Sequence, residues 1–87
     1  MKVKKVIYKN LPKKEKALGI AWHDKLNDPK KKVGIIEIEK DQTPLQMMDT
    51  EVHECIHMYY PEIPEESVLK MGSRIARFLF KLGYRKK

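Results

Sequence analysis

The run Thr43-Pro44-Leu45-Gln46-Met47-Met48-Asp49-Thr50-Glu51-Val52-His53-Glu54-Cys55-Ile56-His57-Met58-Tyr59-Tyr60 decides the reading of this chain. It opens on helix-start signals. Thr43 can cap, Pro44 suits the first helical position, and Gln46 completes a capping box. Leu45, Met48, Val52, Cys55, Ile56 and Tyr59 then recur at spacings of three and four, which predicts an apolar helical stripe. Pro61 ends the helix near Tyr60. Inside it lies H-E-x-x-H, as His53, Glu54 and His57. Residues four apart on a helix stack on one face, so both imidazoles can reach one metal ion. Glu54 is turned by about 100° from His53 and would sit beside that ion, placed to take a proton from a coordinated water. His53 and His57 fall on a flank of the stripe with Asp49 and Tyr60, which suits the border of a cleft. The plain alternative is a helix carrying two partly exposed histidines with no shared ligand.

Outward from this helix, Pro61-Glu62-Ile63 is a linker, and a second helix is predicted from about Pro64 to Leu82, stopped by Gly83. Its inner stripe is Val68, Leu69, Gly72, Ile75, Ala76, Leu79 and Leu82. Lys70, Arg74, Arg77 and Lys81 form a basic outer stripe. Upstream, Val3–Tyr8, Leu18–His23 and Val33–Glu39 read as strands. Leu18, Ile20 and Trp22 would share one face, and Glu37 and Glu39 would lie on the outer face of the third strand. Asn27-Asp28-Pro29-Lys30 is a turn, so the second and third strands are expected to form an antiparallel hairpin. Lys13-Lys14-Glu15-Lys16 is read as a solvated charge run. The expectation is one α+β domain over residues 1–87, a small antiparallel three-stranded sheet followed by two long helices packed on it.

A catalytic zinc site takes three protein ligands and leaves a position for water. Beyond the two histidines, the candidates are His23, Glu62, Glu65 and Glu66. Glu65 shares the predicted inward face of the second helix with Leu69, Gly72 and Ala76. Glu66 precedes Lys70 by four and reads as a surface ion pair. Either could simply be an acid favoured at a helix N-terminus.

The run His53-Glu54-Cys55-Ile56-His57, followed by Pro61, Ile63, Glu65-Glu66, Val68 and Leu82-Gly83-Tyr84-Arg85, resembles small phage and prophage proteins that carry a zinc metallopeptidase motif. More broadly it resembles a minimal gluzincin-type peptidase, over roughly the last half of the chain. The resemblance implies a minimal zincin-like domain with one Zn2+ per chain. It also implies that a Glu on the following helix, Glu65 or alternatively Glu66, is the third ligand. The chain departs from metzincins, since no third His or Gly follows His57 at their spacing.

The expected chemistry is therefore metal-assisted hydrolysis of a peptide or protein substrate. Zinc held by His53, His57 and a carboxylate would lower the pKa of its water to about 7. Glu54 would be the general base, with Tyr60 or His23 as candidate donors to a developing oxyanion. The net charge of +7 offers a second class of function, a small basic nucleic-acid- or protein-binding module with a structural or vestigial zinc site. The Lys70-Arg74-Arg77-Lys81 stripe would carry it.

Cys55 is the only cysteine, which excludes an internal disulfide and suits a reducing compartment. Its place on the apolar stripe predicts a buried thiol. Met1–Tyr8 lacks the apolar run of a signal peptide, and no stretch approaches the ~20 apolar residues of a membrane span. A cytoplasmic location is expected. The scarcity of Asn and Gln beside abundant Lys and Glu leans towards a thermophilic source.

Overall fold

A computed structural model describes residues 3–12, 18–22 and 33–85. Their order is β1 (Lys5–Lys9), β2 (Gly19–Trp22), β3 (Ile35–Glu39), α1 (Pro44–Tyr59) and α2 (Glu65–Lys81). The architecture is α+β, as the sequence predicts. The expected charge run at 13–16, the turn at 27–30 and His23 lie outside the described residues.

The sheet is mixed rather than antiparallel throughout. Its order is β1-β3-β2. The hairpin partners β2 and β3 run antiparallel, with Ala21 opposite Ile36, while β1 runs parallel to β3, with Val6 opposite Ile36. β3 carries the most apolar run, Ile35-Ile36-Glu37-Ile38, and the centre of the sheet is the position that shields both its edges. Periodicity within single strands carries no information about that order.

The face of the sheet towards the helices presents Ala21, Ile36 and Ile38, which cluster with Met58 of α1, while Val3 and Met47 pack at the margin. The opposite face holds Glu37, flanked by Ile7 and Ile20. Glu37 lies on that outer face as expected but is only 5% exposed. Trp22 Nε1 donates to its Oε1 at 2.8 Å, and Lys9 Nζ donates to its Oε2 at 3.2 Å. The carboxylate is thereby paired under the indole, which is the condition for burying a charge. Glu39 accepts from the backbone N–H groups of Leu11 and Asp41. Those donors, Leu11 first, hold its carboxyl below the usual range.

α1 begins as its sequence dictates. Thr43 Oγ1 accepts from the Gln46 N–H at 3.3 Å, and Gln46 Oε1 accepts from the Thr43 N–H at 3.2 Å. Pro44 fills the first helical position and needs no donor there. α2 closes in a Schellman motif. Gly83 has φ +97°, its N–H donates to Phe80 O, and the Tyr84 N–H donates to Leu79 O.

α1 lies on β2 and β3, and α2 packs against α1 on the flank that carries His53, about 100° around α1 from the sheet-facing Glu54. The helices meet where α2 is smallest: Gly72 lies against the His53 backbone, and Val68 and Ala76 one turn to either side are fully buried.

The buried residues of α1 are Thr50, Glu54, Ile56 and Met58. Cys55 and Tyr59, placed on the predicted stripe, are exposed. The thiol is therefore not a core group. The side of α1 that meets the sheet runs through Met47, Thr50, Glu54 and Met58, and two of these are polar, so an apolar count points to the wrong flank. Among the described residues no helix is long and apolar enough to cross a membrane.

Candidate metal centre

The site is assembled by three elements. The middle of α1 supplies His53, Glu54 and His57. The first turn of α2 supplies Glu65, and the start of β2 closes the floor with Leu18 and Gly19. Pro61 and Pro64 frame the reversal between the helices, and this tight link is what brings the head of α2 back beside the last turns of α1.

His53 Nε2 and His57 Nε2 lie 3.0 Å apart. His53 Nε2 is 2.9 Å from Glu65 Oε1, and His57 Nε2 is 2.7 Å from Glu65 Oε2. These are the residues among those described whose ligand atoms converge closely enough to hold one ion. Ligands about 2.1 Å from a tetrahedral zinc stand roughly 3.4 Å apart, so the present separations of 3.0, 2.9 and 2.7 Å would open by about 0.4 to 0.7 Å.

The two Nε2 atoms and the Glu65 carboxylate face one point: with Nε2 unprotonated they can share one metal ion, and in the other tautomer each Nε2–H can donate to Glu65. Burial, more than the neighbouring charges, pushes the His53 imidazole below its usual pKa, while Glu65 acts in the opposite sense. The residues therefore fit a zinc-type ion, with two nitrogens and one oxygen and the cleft side open.

Glu54, turned about 100° from His53 on α1, lies against Gly19 of β2 and lines the same cleft as the histidines. It is 6% exposed, and its pKa is pushed up to about 7, chiefly by burial and then by the negative charge of Glu65. Gly19 explains how it fits. A Cβ at Gly19 would lie 2.6 Å from Glu54 Cγ and 2.9 Å from its Oε2, closer than atoms pack. A glycine inside a strand marks a close approach, and here the approaching group is Glu54. A carboxyl that titrates near neutrality beside a metal-ligand cluster has the property of a general base.

The cleft has a volume of about 570 Å3 and is lined on its flanks by Asp49, Thr50 and Leu69, within the range of small-ligand and peptide sites. Thr50 donates to Gln42 Oε1 at 2.8 Å, which ties the wall of the cleft to the loop before α1.

No family model, curated protein or solved structure matches this chain.

Of the predicted site residues, His53, His57, Glu54 and Glu65 come together. Glu66 faces solvent and pairs with Lys70 at 3.5 Å. Glu62 is exposed in the linker. Tyr60 is 57% exposed and does not line the cleft. The sequence reading overlooked Gly19, Leu18, Thr50 and Leu69 as parts of the site. Gly19 had a signal, a glycine within a run that reads as a strand. The exposed stripe Lys70, Arg74, Arg77 and Lys81 lies on α2 away from His53 and adds nothing to the cleft.

Proposed function

We propose that this chain is a zinc-dependent metallopeptidase in which His53, His57 and Glu65 hold one Zn2+ and Glu54 is the general base. The observation that carries the reading is the convergence of His53, His57 and Glu65 within 3.0 Å of one another, with the buried Glu54 carboxyl alongside. A bound zinc ion supplies an acidified water and a Lewis acid for the scissile carbonyl.

The chain's own groups account for the proton traffic. In the metal-free chain burial pushes the Glu54 pKa up to about 7; a bound Zn2+ beside it would lower that value and favour the carboxylate, which would accept a proton from the attacking water and hand it to the leaving amine. Its seat on Gly19 fixes the carboxylate at the side of the cleft floor, so little reorganisation precedes transfer. Glu65 would offset part of the ion's charge and tie the first turn of α2 to both histidines. Leu18 and Leu69, both lining the cleft, would offer apolar contacts to the side chains of a short peptide and exclude bulk water once it is bound.

The test is cleavage of a mixed peptide library by zinc-loaded protein. Activity is expected to disappear on chelation, to return with zinc, and to be absent in His53→Ala/His57→Ala. Cleavage that persists in that double variant would reject the assignment.

A further inference from the structure

The cleft runs on past the metal ligands along α1, where Gln46, Asp49 and Thr50 line it. Asp49 stands four residues before His53, so the two side chains are neighbours on one flank of the helix, with Cβ atoms about 5–6 Å apart. It is half-buried. Its carboxylate takes part in no hydrogen bond or ion pair among the described residues.

The charges of the cleft do not cancel. Among the described residues that line it, Asp49, Glu54 and Glu65 are acidic, and no Lys or Arg joins them. The chain nevertheless carries 19 basic side chains. Those of α2, Lys70, Arg74, Arg77 and Lys81, lie about 80–140° around the helix from the cleft-lining Leu69. Glu54 and Glu65 together match the double charge of a zinc ion. Asp49 is the third carboxylate, one turn further along the same cleft and without a cation of its own.

We propose that Asp49 is a specificity residue that holds a positively charged nitrogen of the peptide, on a Lys or Arg side chain or at a free amino terminus. The inference rests on reading the cleft as a peptide site. Asp49 is one helical pitch, about 5.4 Å, along α1 from His53. A carbonyl seated at the histidines leaves its own α-ammonium, or an ammonium on a lysine stem, within reach of that distance. The methylene stem of a Lys or Arg would lie along Leu18 and Leu69 while its charged head meets Asp49. Acidic peptides would meet like charge there with nothing basic to offset it.

The test uses acetyl-Ala-Leu-X-Leu-Ala-amide, with X as Lys, Gln or Glu, and the Gln peptide without its acetyl group. Binding is measured by isothermal titration to zinc-loaded Glu54→Gln protein, which holds peptide without turning it over, and cleavage is measured with wild type. The Lys peptide or the unacetylated peptide is expected to bind about tenfold more tightly than the blocked Gln peptide, and the Glu peptide most weakly. An advantage confined to the unacetylated peptide assigns the cation to the amino terminus, and one confined to the Lys peptide assigns it to the side chain. Adding Asp49→Asn should bring the ratio close to one, and Asp49→Lys should turn the preference towards the Glu peptide, with zinc content unchanged in both. Equal binding of all four peptides overturns the inference, as does a preference that survives Asp49→Asn. Charge-selective binding without cleavage by wild type would reject the peptidase reading and keep the role of Asp49. Cleavage by wild type with no charge preference would do the reverse.

Discussion

Gly19→Ala is the most informative single change, because it adds one methyl group at a position where the structure leaves no room. The new Cβ would stand 2.6 Å from Glu54 Cγ, 2.9 Å from Oε2 and 3.0 Å from Cδ. Contact begins near 3.4 Å, so a gap of close to an ångström has to open. The clash is with the middle of the Glu54 side chain as well as its tip, so rotating the carboxylate alone does not relieve it. Either Glu54 leaves its rotamer or β2 moves away from α1. Overpacking of this kind costs about 1–3 kcal/mol, and each kcal/mol corresponds to roughly 4–8 °C in Tm for a domain of this size. The two routes differ in their effect on catalysis. A displaced Glu54 would lose about 10²-fold in kcat while zinc affinity, set by His53, His57 and Glu65, stays within a few-fold. The assay is differential scanning calorimetry with peptide hydrolysis and a zinc titration on the same preparation. Gly19→Ala with wild-type Tm and wild-type kcat would show that Glu54 does not pack on β2, and the proposed seat of the base would be wrong.

Three further outcomes follow from the same geometry. Gly72→Ala, in contrast to Gly19→Ala, places its Cβ 3.5 Å from His53 Cα, an ordinary contact. Replacing a mid-helix glycine there should raise stability by about 0.5–1 kcal/mol, read as a higher Tm; a fall in Tm would mean the helices are closer than described. In metal-free protein, the Glu54 pKa raised from 4.5 to about 7 makes a contribution that is fully present below pH 4.5 and is lost as pH rises through 7. Glu54→Gln should therefore stabilise the metal-free chain by about 3 kcal/mol more at pH 8 than at pH 4 in urea unfolding, and a difference independent of pH would contradict the burial of that carboxyl. Glu65→Ala should weaken zinc binding by at least about tenfold and exceed Glu66→Ala and Glu62→Ala in isothermal titration, and the reverse ranking would move the third ligand elsewhere.

What could be read from the sequence divides along physical lines. Helix boundaries came through because their signals are local. Thr43, Pro44 and Gln46 cap α1, and Gly83 closes α2, through contacts within a few residues. The pairing of His53 with His57 is also local, a consequence of helical pitch. For the proposed third ligand, the family resemblance pointed to Glu65 or Glu66 and helical phase favoured Glu65, and it is Glu65 that lies within 2.9 Å of both histidines. The strand order was not legible, because placing β3 between β1 and β2 depends on burial of its edges. The face of α1 was misread for a reason tied to the site. Thr50 and Glu54 are polar yet buried, so the side that packs on the sheet looks less apolar than the side bearing Cys55 and Tyr59. Glu37 was placed on the correct face, but its burial depends on Trp22 and Lys9 from two other strands. Sequence patterning is least reliable where polar groups are buried, and in this chain that is also where the proposed chemistry lies.

The most direct test of the central claim compares wild type with Glu54→Gln, both loaded with zinc, on one peptide substrate. Gln keeps the shape of the side chain and its contact with Gly19 but cannot accept the proton. Equal zinc content, measured by atomic absorption, with kcat lower by about 10²–10⁴-fold in Glu54→Gln is the predicted result. Equal hydrolysis by the two proteins, or no hydrolysis by wild type at any zinc concentration, would contradict it.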